Sequence, residues 1–445
     1  MKPPRTPPTL VDLITALQQT GRLVDVLGMG IGPAPGGRYR HLDKLRHYPP
    51  PDGLTIEEWW AGIKFARMVL RRELPIVDRD GYSFSYSTPD PVLEMLHTID
   101  RDASGAIKAQ DSITNPNTRD RYIQSSLIEE AITSSQLEGA ATTREKAKQL
   151  IRSGRRPVGR SERMILNNYR AMQLVASLKD EPLTPELVST IHAQITDGTL
   201  DHVEPPYFRV PGDGVVVYDE RDNRLLHLPP PAEQIRERMA ALCEFANKPQ
   251  LPGFLHPVIK AIILHFWLAY DHPFVDGNGR TARALFYWSM LADGFWLTEF
   301  LSISRIFRKA PAKYGRAFLY TETDENDMTY FILYHLSVVV RAIDDLHVFL
   351  AKKMKEIRET ENLVKTSISL NHRQIAILSH ALRHPDQRYT IESHRSSHRV
   401  SYQTARTDLL GLERKKLFSR VQSGNTFVFQ AVYDLHQRLA ARKAP

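Results

Sequence analysis

Cysteine is almost missing. Cys243 is the only one in 445 residues, so no intramolecular disulfide can form and a reducing compartment is the expectation. No stretch of about 18 uninterrupted apolar residues is present to span a bilayer. The opening Met1-Lys2-Pro3-Pro4-Arg5 lacks the apolar core of a signal peptide, and cytoplasmic is the default reading. No internal repeat is visible. A general charge excess is also lacking, despite a net charge of +8. From Thr366 to Pro445 the chain carries 13 Lys and Arg against 5 Asp and Glu, while the preceding 365 residues balance at 46 of each sign. That points to a basic module rather than a basic protein. With 42% hydrophobic and 25% charged residues, the composition is that of an ordinary soluble chain of two or three domains.

The chain is organised around His272-Pro273-Phe274-Val275-Asp276-Gly277-Asn278-Gly279-Arg280-Thr281-Ala282-Arg283. The run Leu255 to Tyr270 is apolar at helical spacing and predicts a buried helix. Pro273 cannot continue that helix, and Gly277 and Gly279 permit a tight turn. A second apolar helix opens near Arg280. A glycine turn feeding a helix N-terminus is a site for an anion. Arg280 and Arg283 sit in the first turn, on one face. Cations there oppose the macrodipole at a cost of a few tenths of a kcal/mol each, up to ~1, unless an anion lies between them. The residue types describe a polyphosphate site with a hard-cation ligand, Asp276, and a candidate base, His272, at its lip.

This stretch resembles the signature of the Fic family of protein nucleotidylyltransferases, HxFx(D/E)GNGRxxR, with every position met. The resemblance implies transfer of AMP from ATP to a Ser, Thr or Tyr hydroxyl of a protein, with diphosphate released. His272 would be the general base and Asp276 the Mg²⁺ ligand. Gly277, Asn278, Gly279, Arg280, Thr281 and Arg283 would hold the phosphates. The apolar pair of strands read at 215–227, with a turn at Asp222-Asn223, matches the family's flap, on which a target segment docks. Its last residues, Arg224, Leu225, Leu226 and His227, would border the nucleotide, and Tyr314 the adenine.

Upstream, Ser134-Ser135-Gln136-Leu137-Glu138-Gly139 resembles the family's inhibitory-helix pattern. A Glu in the last turn of a helix is unfavourable with the dipole unless a cation meets it. Arg283 is the obvious partner. With Glu138 on Arg283 and Ser134 tethering the same site, the γ-phosphate would lose its clamp and the enzyme would be held in check. Other readings remain open: removal of AMP, transfer of a different phosphate-containing group, or a DNA-binding regulator that uses the core as a nucleotide sensor.

The expected fold class is mainly α, a Fic-type helical bundle with a β-hairpin flap and a C-terminal winged-helix domain. Residues 1–89 read as a Pro/Gly-punctuated arm, with a short helix near Leu10 to Leu17, followed by a helical extension. Within that extension Thr55 and Glu58 cap a helix, Ile56 to about Leu70, with Trp59, Ile63, Met68 and Val69 as its apolar face. Residues 90–200 form a helical region with the inhibitory helix at about 120–139. The catalytic core is 201–348, a charged linker helix covers 349–365, and the basic module is 366–445. That module reads as three helices and a hairpin, presenting Gln403, Arg406 and Thr407 from its third helix and Arg420 from the wing. Partner expectations are a protein docked on the flap, the chain itself as target, DNA at the basic module, a homodimer, and no membrane.

Overall fold

Helix Pro257–Asp271 buries nearly every side chain it has, including Val258, Ile262, Phe266 and Trp267, so it must run through the middle of the fold. In the computed structural model it ends where Pro273 forbids continuation. His272 caps it in the left-handed region (φ 47°, ψ 56°), its backbone N–H donating to the Leu268 carbonyl at 3.0 Å. The chain turns back through Gly277 (φ 83°), which is the N-cap of helix Asn278–Ala292. That second helix is as thoroughly buried as the first, and the two pack together. Helices Pro116–Leu137, Gly159–Ser177 and Pro185–Thr196 complete the packing around them. The structure describes residues 3–104, 116–200, 208–219, 223–249, 251–367, 370–383, 387–423 and 426–441. Asp222 of the expected flap turn, and Gly424 and Asn425 of the second hairpin, lie outside them.

The N-terminal segment is not the extended arm expected. Short helices Leu10–Gln19, Leu23–Gly28 and Leu42–Leu45 fold against helix Ile56–Leu70. Leu13, Leu17, Val26 and Leu45 pack with Trp59 and Trp60 in one cluster. The prolines space these short helices rather than straighten the chain. The Thr55–Glu58 capping box forms with both of its bonds, but Met68 and Val69 are exposed, and Trp60 takes their place on the buried face. Strand Ser83–Tyr86, as the alternation of residues 82–86 leads one to expect, pairs antiparallel with a second strand, Arg72–Val77, that the sequence pattern did not announce. Strands Val217–Asp219 and Arg224–His227 pair as the expected hairpin. Helix Thr329–Ser367 is continuous over 39 residues and takes in the expected linker helix at 349–365; no Gly or Pro interrupts it. Among the described residues no helix is long and apolar enough to cross a membrane.

Two compact units divide the chain, Met1–Leu346 and His347–Pro445. The second runs helix His372–Arg383, strand Arg388–Thr390, helices Ile391–His398 and Tyr402–Arg414, then hairpin Phe418–Ser423 with Thr426–Ala431. The first strand joins that hairpin on the outer edge of its second arm, giving a three-stranded sheet. A helix, Leu435–Ala441, follows that sequence reading missed. The core is Leu378, Ala405, Leu409, Leu412, Leu417, Phe429 and Leu439.

Asp408 is the polar hub of this unit. It is 3% exposed and accepts from Asn371 Nδ2 at 2.6 Å and Arg373 Nε at 2.7 Å, with His394 Nε2 at 3.3 Å. Those partners outweigh the upward pull of burial and hold its carboxyl below the usual range. Asp408→Ala strands a cation beside a closed core and should cost about 3 kcal/mol. Hydrogen exchange of the full chain should then speed up across 372–441 while 257–292 is unchanged.

Candidate active site

The turn at 272–279 is held by side chains from outside it. Phe274 is fully buried, with its ring stacked on His192 at 3.6 Å between centroids and 6° between planes. His192 Nε2 lies 2.9 Å from the Asp276 carbonyl. Arg209 straps the other side: its backbone N–H donates to Pro273 O (2.8 Å), its Nε to His272 O (2.8 Å) and its Nη2 to Asp271 O (3.1 Å). Asn278 closes the loop on itself, accepting from Phe274 N at 2.9 Å and donating to Phe274 O at 2.7 Å. Its amide is therefore spent on shape, leaving its backbone N–H for a phosphate. Thr281 likewise gives its hydroxyl to Gly277 O at 2.9 Å. A Cβ on Gly277 would come 2.8 Å from Thr196 Cγ2, and one on Gly279 would come 2.3 Å from Glu138 Oε1. Only glycine lets those neighbours approach.

His272 lines a cavity of about 230 Å³ together with Leu226, His227, Gly279, Arg283 and Tyr314. Its Nδ1 lies 3.1 Å from the Ala269 carbonyl, which fixes the proton on Nδ1 and leaves the lone pair on Nε2. Burial pushes the imidazole down to about 4, with nearby positive charge from His227 and Arg209 acting the same way. It is neutral at physiological pH, the state a base requires. His227 goes the other way. Burial works against its charge, but Glu322 at 2.7 Å and the Tyr270 carbonyl at 2.7 Å outweigh it, and both ring nitrogens donate.

The arginines carry the anion demand. Arg280 is 1% exposed and spends Nη1 on the Ile195 carbonyl (3.2 Å), while Nε and Nη2 have no hydrogen-bond partner among the described residues. The nearest carboxylate, Asp276, stands 3.6 Å away, and burial pulls the guanidinium down. A buried cation with open donors costs several kcal/mol until something negative meets it. Arg283 is met internally: Nε donates to Ser134 Oγ at 2.8 Å, and Nη2 to Ser134 O at 3.1 Å and Glu138 Oε1 at 2.8 Å. Tyr314 sits in the cavity wall with its hydroxyl 2.8 Å from His265 Nε2 and its ring stacked on Phe307.

Not every expected residue reaches the cavity. Arg224 and Leu225 are exposed at the start of the second hairpin arm, while Leu226 and His227, further along it, line the cavity. Asp276 lies at the rim and is paired with Arg160 at 3.1 Å. Among the described residues no cluster of three or more metal-ligating side chains exists. Mg²⁺ needs only one or two carboxylates when phosphates and water complete its shell, so Asp276 fits an ion that arrives with a nucleotide, once Arg160 moves. His192, Arg209, Glu130 and Glu322 were missed, since each acts from a distant segment and no local pattern marks them.

A Fic/DOC family model matches residues 182–290, from helix Pro185–Thr196 through the hairpin to the turn and the helix after it. A protein adenylyltransferase Fic from Nematostella vectensis is 29% identical over 211 residues, 45% of this chain and 45% of its own. One from Drosophila mojavensis is 38% identical over 69 residues, 16% and 14% of the two chains. The chain thus spans less than half the length of these curated relatives. The crystal structure of a Fic family protein from Desulfovibrio desulfuricans G20 superposes with a TM-score of 0.50 at 18% identity, covering 78% of this chain and 98% of that one; it shares the fold. The segment that matches the Fic/DOC family model, 182–290, holds the His272 turn and both arginines.

Proposed function

We propose that the chain is a protein adenylyltransferase that moves AMP from ATP to a Ser, Thr or Tyr hydroxyl of a protein and is held in check by Glu138. One observation carries the reading: a neutral imidazole with a free Nε2 and the Arg283 guanidinium share the wall of a single cavity, beside the N-terminus of helix Asn278–Ala292. The first backbone N–H groups of that helix have no intrahelical partner and aim at a phosphate, and Arg280 supplies the open donors beneath. The half-buried aromatic Tyr314 in the cavity wall suits a purine face.

In the reaction, the target hydroxyl oxygen attacks the α-phosphorus and its proton passes to His272 Nε2. The bond from the α-phosphorus to the bridging oxygen breaks, and diphosphate leaves. Arg280 and Arg283 stabilise charge that grows on the departing group. Mg²⁺ at Asp276, when bound with the nucleotide, neutralises phosphate charge. The hairpin ending at His227 offers a strand edge on which a target segment can pair. The His227–Glu322 pair holds the end of that hairpin to helix Pro311–Thr323.

Glu138 is the brake in this reading. At 2.8 Å it takes the donor a γ-phosphate would use, and Gly279 lies against the same carboxylate. Glu138→Gly should raise protein labelling by α-labelled ATP at least tenfold. Adding His272→Ala to that variant should remove ~10²–10⁴ of the rate. Equal labelling by the wild-type chain and the Glu138 variant would sink the brake. With the base at about 4, kcat/KM of the Glu138→Gly enzyme should stay flat as pH falls from 8 to about 5 and halve only near 4. A break near 6.5 would mean a solvated imidazole and no dry pocket.

A further inference from the structure

The net positive charge of the last eighty residues has no role in the proposed AMP transfer, and helix Tyr402–Arg414 presents two of its arginines, Arg406 and Arg414, on one exposed face. Ala405, Asp408, Leu409 and Leu412 are buried, a stripe at helical spacing. On the opposite stripe Tyr402, Gln403, Arg406, Thr407 and Arg414 are exposed, with Leu410 half-buried. That outer stripe contains no acid. Both carboxylates of the helix are occupied elsewhere: Asp408 faces inward onto Arg373 at 2.7 Å, and Glu413 pairs with Arg420 at 3.2 Å. Arg399, Arg406 and Arg414 make no ion pair among the described residues.

The start of the helix adds to this. Ser401 caps it, accepting from Thr404 N at 3.1 Å, and the preceding turn holds exposed Arg399 in the left-handed region at φ 50°. An exposed helix N-terminus beside an arginine favours a phosphate. In the hairpin, Arg420 lies 4.7 Å over the Phe427 ring, while Val421 and Phe427 are exposed. An α-helix about 10–12 Å across enters a major groove about 12 Å wide.

We infer that this unit binds duplex DNA, with helix Tyr402–Arg414 in the major groove. Gln403, Arg406 and Thr407 meet base edges, Arg399 and Arg414 meet phosphates, and strands Phe418–Ser423 and Thr426–Ala431 lie along the adjacent backbone. Arginine reads guanine and glutamine reads adenine through paired hydrogen bonds. A protein partner is disfavoured by the outer stripe, where Tyr402 and Leu410 are the only large apolar groups. The inference is independent of the adenylyltransferase reading.

The test uses the full chain and a labelled duplex of roughly 20 base pairs, two helical turns, drawn from a random pool. Affinity, read by anisotropy between about 50 and 200 mM salt, should fall with a slope near −0.9 for each phosphate contacted. Arg399→Ala should weaken all sequences alike and reduce the slope by about 1. Arg406→Ala should weaken selected sequences about tenfold and erase their preference over the pool. Both side chains are exposed, so neither variant threatens the fold. No duplex binding at low salt, or unchanged affinity in both variants, overturns the inference. Tighter binding of single-stranded RNA overturns it in favour of RNA, and a change of solution mass on Arg406→Ala without a DNA effect assigns the face to a second copy.

Discussion

Two guanidinium groups buried at the N-terminal end of one helix set the terms for the first unit. Each would gain from water, and the helix dipole already places positive potential where they sit. A chain that buries Arg280 and Arg283 to 1% and 2% exposure must supply an anion or accept a standing penalty. It answers one internally, with Ser134 and Glu138 around Arg283, and leaves Nε and Nη2 of the other open. The difference between the two arginines separates a filled half-site from an unfilled one. A triphosphate would complete Arg280 first and compete with Glu138 for Arg283.

That demand is useful only if the turn is rigid. A left-handed histidine at the end of a helix is costly, and such conformations persist where surroundings over-determine them. Arg209 bonds three successive carbonyls on one side, and His192 stacks on Phe274 on the other. Asn278 then ties the loop to its own start. The imidazole is thereby placed by backbone geometry rather than by a flexible side-chain choice, and Ala269 fixes its tautomer. Placement and tautomer are settled before any ligand arrives, which removes an ordering cost from the reactive complex.

The signature turn, both flanking helices and the Glu138–Arg283 contact were legible because each is a local pattern carrying a physical demand. Proline stops a helix, glycine permits positive φ, and a carboxylate at a helix end seeks a cation. The hairpin was legible from its apolar, β-branched run and the turn after it, although which of its residues face the cavity was not: Arg224 and Leu225 turn outward while Leu226 and His227 line it. Strand Arg72–Val77 stayed hidden because Arg72, Glu73 and Pro75 break the β pattern, and only its pairing with Ser83–Tyr86 makes it a strand. The N-terminal helices were hidden by prolines that space them. Arg209, His192 and Glu130 act across 60 or more residues, from segments with no motif of their own.

Under the proposed function, Glu130 is the anchor that would let the Glu138 contact open without dismantling the fold. Positions 130, 134 and 138 share one face of helix Pro116–Leu137 and its final turn. Glu130 is 1% exposed and accepts from Ser302 Oγ at 2.9 Å, Ser304 N at 3.1 Å and the Ser304 hydroxyl. Burial pushes its carboxyl upward against those donors, so this anchor lies deep in the core. Glu138 lies two turns on, about a third of its side chain in solvent, with Gly139 at φ 85° directly after it. The helix is pinned at Glu130, about two turns before its C-terminal end, and that end is open to fraying. Unwinding the last turn would free Arg283 while Glu130 kept the rest docked, so the proposed release would cost one ion pair and a few backbone bonds rather than the packing of a whole helix.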